Sequence, residues 1–150
     1  MKKSVLLFMT VVVLTTGSMM LFGQGPTSEK LTPTGTYIVY AVSPQAFRFT
    51  VDPKTMGNAT VSGHFAVTDG NPKTVDVFIF DDASYYKWRG EDEAAKASAK
   101  PLWSSGRKGE GDVSFKPTEA GNYYLVFSNV HQYEGRKTIT TDIKFQYDKK

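Results

Sequence analysis

The chain has no cysteine. That removes disulfides, thiolate catalysis, cysteine-ligated zinc and a lipidated N-terminal cysteine. Histidine is nearly absent as well, with only His64 and His131. Neither takes part in an HxxxH or HxH pattern, and none of the phosphate-loop, dinucleotide-glycine or GxSxG arrangements occurs. His64 falls on the outward face of a strand and His131 in the loop "NVHQYEGRK", so both read as exposed histidines and no catalytic residue is assigned. A small secreted hydrolase would need one of them in a cleft beside a carboxylate.

Charge of one sign is also missing. Of 18 basic residues, Lys2 and Lys3 stand alone in the first 25 positions, which leaves 16 basic against 15 acidic groups in the remainder. There is no basic stripe interleaved with aromatics, and this argues against nucleic acid as a partner. Only one long apolar run exists, Val5 to Phe22, behind Lys2 and Lys3 and ahead of Gly23-Gln24-Gly25. Residues 1–25 therefore read as an export signal, cut after Gly25 or Gly23, or alternatively as an uncleaved anchor. Either way the remainder is expected outside the cytoplasm, in the periplasm, secreted or at the cell surface, touching a membrane only through that segment if it is uncleaved. Residues 26–35, "PTSEKLTPTG", read as a polar Pro/Gly-rich tether without a packing pattern.

What is present from Thr36 onward is a period of two. "AFRFTVD" sets Phe47, Phe49 and Val51 against Arg48 and Thr50, and "TITTDIKFQY" sets Ile139, Ile143, Phe145 and Tyr147 against Thr140, Asp142, Lys144 and Gln146. "TVDVFIF" is apolar on both faces, as a central or covered strand would be. Turn residues at Asp52-Pro53, Asp69-Gly70-Asn71-Pro72, Gly106, Gly109, Gly111, Gly121 and Gly135 separate the runs. The strands are expected near 35–42, 46–51, 59–68, 74–81, 101–106, 111–117, 121–129 and 137–147. The fold class is all-β: an antiparallel β-sandwich of about eight strands, jelly-roll or Ig-like, spanning 36–148.

One segment breaks the pattern. "DDASYYKWRGEDEAAKASAK" offers Asp82 as a helix N-cap, Tyr85 and Trp88 on one face of a turn, and Gly90 as its stop. Glu91 to Lys100 is a short helix or a loop, ended by Pro101. As the one long insertion between strands, it is where binding is expected.

In "GNYYLVFSN", Gly121 to Asn129, Tyr123, Leu125 and Phe127 would face one layer and Tyr124 and Val126 the other. A tyrosine directly after a glycine turn can lock a sandwich corner through its hydroxyl.

The order of "VSGHF", "VDVFIFD", Tyr85 then Trp88, "LWSSGR", "GNYYLVFSN" and the alternating strand from Lys137 resembles the GOLD (Golgi dynamics) or emp24-like domain, in the form of its secreted prokaryotic relatives. The resemblance covers roughly Thr36 to Tyr147. It implies a compact antiparallel β-sandwich that makes protein or ligand contacts without catalysis. The disulfide, coiled coil and C-terminal membrane span of eukaryotic members have no counterpart in this sequence, so a vesicle cargo-adaptor role does not follow from it.

Tyr85, Tyr86, Trp88 and Trp103 are the candidate ligand-binding residues, as a platform that stacks on a sugar or anchors a peptide. The alternative is that the two tryptophans close one end of the sandwich. Asp81, Asp82, Glu91, Asp92 and Glu93 form a weaker calcium candidate, because DxDxDG spacing is absent and Lys87, Arg89 and Lys96 intervene. No cofactor is expected. The sequence thus predicts an exported, non-enzymatic module for an unknown protein or glycan, with a calcium- or carbohydrate-binding accessory module as the alternative.

Overall fold

The structure, a computed structural model, describes residues 25–32, 35–41, 43–130 and 135–150. Residues 1–24 of the predicted export segment and His131 lie outside them. The elements in chain order are β1 (Thr27–Lys30), β2 (Gly35–Tyr40), β3 (Gln45–Val51), β4 (Met56–Asp69), β5 (Val75–Asp81), α1 (Asp82–Arg89), α2 (Glu93–Ser98), β6 (Trp103–Lys108), β7 (Glu110–Phe115), β8 (Gly121–Ser128) and β9 (Arg136–Lys149).

Two antiparallel sheets face each other, as the alternation requires. One runs β1-β9-β4-β7 with β2 also on β9, and the other runs β3-β8-β5-β6. Between them lie Val61, Phe65, Ile139 and Ile143 from the first sheet and Val77, Ile79, Leu125 and Phe127 from the second, all essentially fully buried. Side chains of this size each contribute about 1.5–3 kcal/mol on burial. With no disulfide available, this packing carries the fold.

The centre of the first sheet is the long pairing of β4 with β9. Gly63 lies in it at φ +150°, and a Cβ there would meet the Asp142 carbonyl oxygen at 2.0 Å. Only glycine lets the two backbones approach so closely.

The segment read as a tether over 26–35 differs from that expectation. Strand β9 is 14 residues long and β2 only six, so the outer half of β9 has backbone groups left to pair. Strand β1 takes them, in register Thr27↔Tyr147 to Lys30↔Lys144. The Tyr147 hydroxyl donates to Glu29 Oε1 at 2.9 Å, and buried Thr32 accepts from the Thr141 hydroxyl at 2.8 Å. The polar residues there satisfy an edge, which a hydrophobic-period argument does not register.

Both faces of β5 are covered, as its composition implied. Val75, Val77 and Ile79 enter the main core, while Phe78 and Phe80 face outward beneath α1. Strand β8 divides in the same way: Tyr123, Leu125 and Phe127 point inward, and Tyr124 and Val126 join Phe80 and Tyr85 in a second, smaller cluster. At one end of the sandwich Lys137 is buried and its ammonium donates to the Pro72 carbonyl. Burial holds the Lys137 pKa below the ordinary lysine value.

Candidate functional site

Strand β5 runs directly into α1. Asp81 keeps extended geometry (φ −73°, ψ 171°) and is the N-cap, its Oδ1 accepting from the Ser84 N–H at 2.6 Å. The cap is therefore Asp81 and not Asp82, because the chain is still leaving the strand at Asp81 and is already helical one residue later. Lys87 and Arg89 sit in the last turn, where cations complement the helix dipole. Gly90 closes the helix with its N–H on the Tyr86 carbonyl at 3.0 Å. The second segment is also helical: Asp92 caps α2, accepting from the Ala94 and Ala95 N–H groups at 2.8 and 3.1 Å. Helix α2 buries no residue.

The three-residue spacing puts Tyr85 and Trp88 on the face of α1 that covers the sheet. Tyr85 stacks on Tyr124 with centroids 3.9 Å apart and planes 9° apart. Trp88 stacks on Phe80 at 5.5 Å and leans on Phe78 at 6.2 Å. Polar groups complete the contact. The Tyr124 hydroxyl donates to Asp82 Oδ1 at 3.1 Å and lies 3.5 Å from the Tyr86 hydroxyl, and Arg89 Nη1 donates to the Tyr85 hydroxyl at 3.1 Å. The Tyr86 contact, then burial, then Asp82 raise the Tyr124 phenol well above its ordinary pKa.

These placements divide the four predicted aromatics. Tyr85 is only 4% exposed and belongs to the fold, whereas Tyr86 is 59% exposed. Trp88 is half-buried. Trp103 does not join them. It pairs with Ile79 on the inward face of the sheet and packs against the main core. Sequence proximity cannot reveal this, because Trp88 and Trp103 approach the same sheet from opposite sides.

Between the two helices and the outer face of β3 and β8 runs a groove of about 1090 Å³. Its lining includes Tyr85, Trp88, Arg89 and Lys96 on the helical side and Arg48 and Tyr124 on the strand side. Arg48 and Tyr124 are cross-strand partners, so they share the outward face. Lys96 is bonded to Glu93 at 2.7 Å. Exposed Ala46 and Val130 give the rest of the wall an apolar component. Arg48 and Tyr124 are not among the residues expected from the sequence, because only the pairing of β3 with β8 brings them to the insertion. Arg89 was not among them either, although its place one turn after Tyr85 is a signal that could have found it.

The calcium candidates are dispersed. Asp81 and Asp92 cap separate helices, Asp82 accepts from Tyr124, and Glu91 is exposed. Among the described residues no three metal-ligating side chains come together. His64 has a carboxylate after all, with Nδ1 2.9 Å from Asp112 Oδ1 across the β4–β7 pairing. Both side chains are largely exposed, at 55% and 85%, so the pair stands on an open sheet face and not in a cleft.

The model of the emp24/gp25L/p24 family/GOLD matches residues 46–150. That range begins inside β3 and takes in every later element, including Ala46, Arg48, Tyr85, Trp88, Arg89 and Tyr124 of the groove. No curated protein matches the chain.

Proposed function

Given that the chain belongs to the emp24/gp25L/p24 (GOLD) family, we propose that it is an exported binding module that holds a partner protein in the groove beside α1. The family is generally one of non-catalytic, cargo-binding domains associated with the secretory pathway. Export is supported by Lys2 and Lys3 ahead of the uncharged apolar run. Among the described residues no helix is long and apolar enough to cross a membrane.

The observation that carries the reading is the groove, where half-buried Trp88 is left accessible beside exposed Ala46 and Val130. Tyr86 and Val130, two of the four large exposed apolar side chains among the described residues, lie on α1 and on the groove wall. Exposed aromatics beside a concavity are the usual anchors of a protein interface. The reading is non-enzymatic because the family is generally one of non-catalytic domains.

Two measurements test it. Cell fractionation with N-terminal sequencing should find the protein outside the cytoplasm, beginning at Gln24 or Pro26 if the segment is cut. Crosslinking capture from the same compartment should yield a partner with the native chain and lose it with Trp88→Ala, while a distant exposed substitution, Lys108→Ala, retains it. Capture that survives Trp88→Ala in a folded variant would overturn the groove as the site.

A further inference from the structure

Resting on the groove as the binding site, we infer that its ligand is an acidic peptide segment of the partner, with carboxylate side chains seated on Arg48 and Arg89. The charges of the groove are unbalanced. Among the described residues three cations line it, Arg48, Arg89 and Lys96, against one carboxylate, Glu93, and that carboxylate is taken by Lys96. Neither arginine forms an ion pair with a carboxylate among the described residues. Asp81 and Asp82 do not line the groove and are held by the Ser84 amide and the Tyr124 hydroxyl. The excess is local, since residues 26–150 carry 16 basic and 15 acidic groups.

The two guanidinium groups are placed differently, and each placement favours a planar anion. Arg89 is anchored through one nitrogen on the Tyr85 hydroxyl, at 3.1 Å, which leaves its other N–H donors for a ligand. Arg48 projects from an edge strand beside Tyr124, its cross-strand partner. A guanidinium presents a rigid fork of donors that matches a carboxylate through two parallel hydrogen bonds.

Size and wall chemistry select a peptide over a lone anion. A volume of about 1090 Å³ lies at the upper end of the roughly 300–1,000 Å³ of ordinary small-molecule sites and is far more than a lone anion fills. Ala46, Val130 and the accessible part of Trp88 supply apolar contact between the charged points. Two arginines without a surrounding basic field are too few for a nucleic-acid backbone.

The test uses the full chain and pairs of short labelled peptides, rich in Asp and Glu with interspersed Leu and Tyr, each matched by an Asn/Gln version. Fluorescence anisotropy should show the acidic peptides binding at least about tenfold more tightly than their amide counterparts. Binding should weaken with added salt. Arg48→Glu and Arg89→Glu should each lose at least about tenfold, while Lys108→Glu changes nothing. Arg48→Gln, an exposed substitution that keeps the stem, guards against a folding defect in the charge reversals. Equal binding of the acidic and amide peptides overturns the inference. So does acidic-peptide binding that is unchanged in Arg48→Glu, and so does arginine-dependent binding of inorganic phosphate or anionic vesicles without binding of the peptides. Partner capture lost in Trp88→Ala but kept in Arg48→Glu leaves the groove standing and overturns only the acidic ligand.

Discussion

The hydroxyl of Tyr123 donates to the Glu119 carbonyl at 2.8 Å, four residues upstream. The bond folds the chain entering β8 back on itself across Gly121, while the Tyr123 ring stacks on Phe49 at 5.3 Å. A single side chain thus fixes both the corner and the register of a central strand. Tyr123→Phe should keep the stack and lose the bond, lowering stability by about 0.5–1.5 kcal/mol. Urea denaturation checks it; an unchanged midpoint would mean the corner is set by Gly121 alone.

Glycine at two positions separates crowding from backbone conformation. Gly63 (φ +150°) would put a Cβ 2.0 Å from the Asp142 oxygen, whereas Gly121 (φ +152°) has nothing within 4 Å of that position. Gly63→Ala should cost more than about 3 kcal/mol or prevent folding, because two paired strands must separate. Gly121→Ala should cost about 1 kcal/mol from strain alone. Soluble yield and melting temperature distinguish them.

Adjacent tyrosines on α1 should behave oppositely. Tyr85→Ala removes a buried ring from its stack on Tyr124 and should cost about 3–5 kcal/mol. Tyr86→Ala removes an exposed ring with one long hydroxyl contact and should cost under about 1 kcal/mol. If Tyr86 proves as costly as Tyr85, its exposure serves the fold and not a partner.

Stability should fall at high pH. Burial raises the Tyr37 and Tyr123 phenols, while Tyr124 is raised first by its Tyr86 contact and Tyr147 first by its bond to Glu29. The folded state therefore keeps protons that the unfolded chain releases near pH 10. The stabilisation is complete below about pH 10 and is lost as pH rises through the folded values. Lys137, lowered by burial, acts in the opposite sense but is one group against four. Denaturation midpoints from about pH 8 to 11 should decline, and less steeply in Tyr124→Phe; a flat profile would refute the assignment.

Much of the sandwich was legible in the sequence because its signals are local. Alternation depends on neighbours two apart, so β3, β5 and β9 could be read directly, as could the inward and outward halves of "GNYYLVFSN". Composition alone removed disulfide and thiolate chemistry, since the chain has no cysteine. The tertiary structure decided everything that depends on which strands meet. Strand β1 exists because β9 outruns β2, a fact about partners and not about "TSEK" itself. Trp88 and Trp103 seemed one cluster until the sheet between them put one on each face. Arg48 reached the α1 groove only through the pairing of β3 with β8, because side chains distant along the chain become neighbours through backbone hydrogen bonds that no short window of sequence contains.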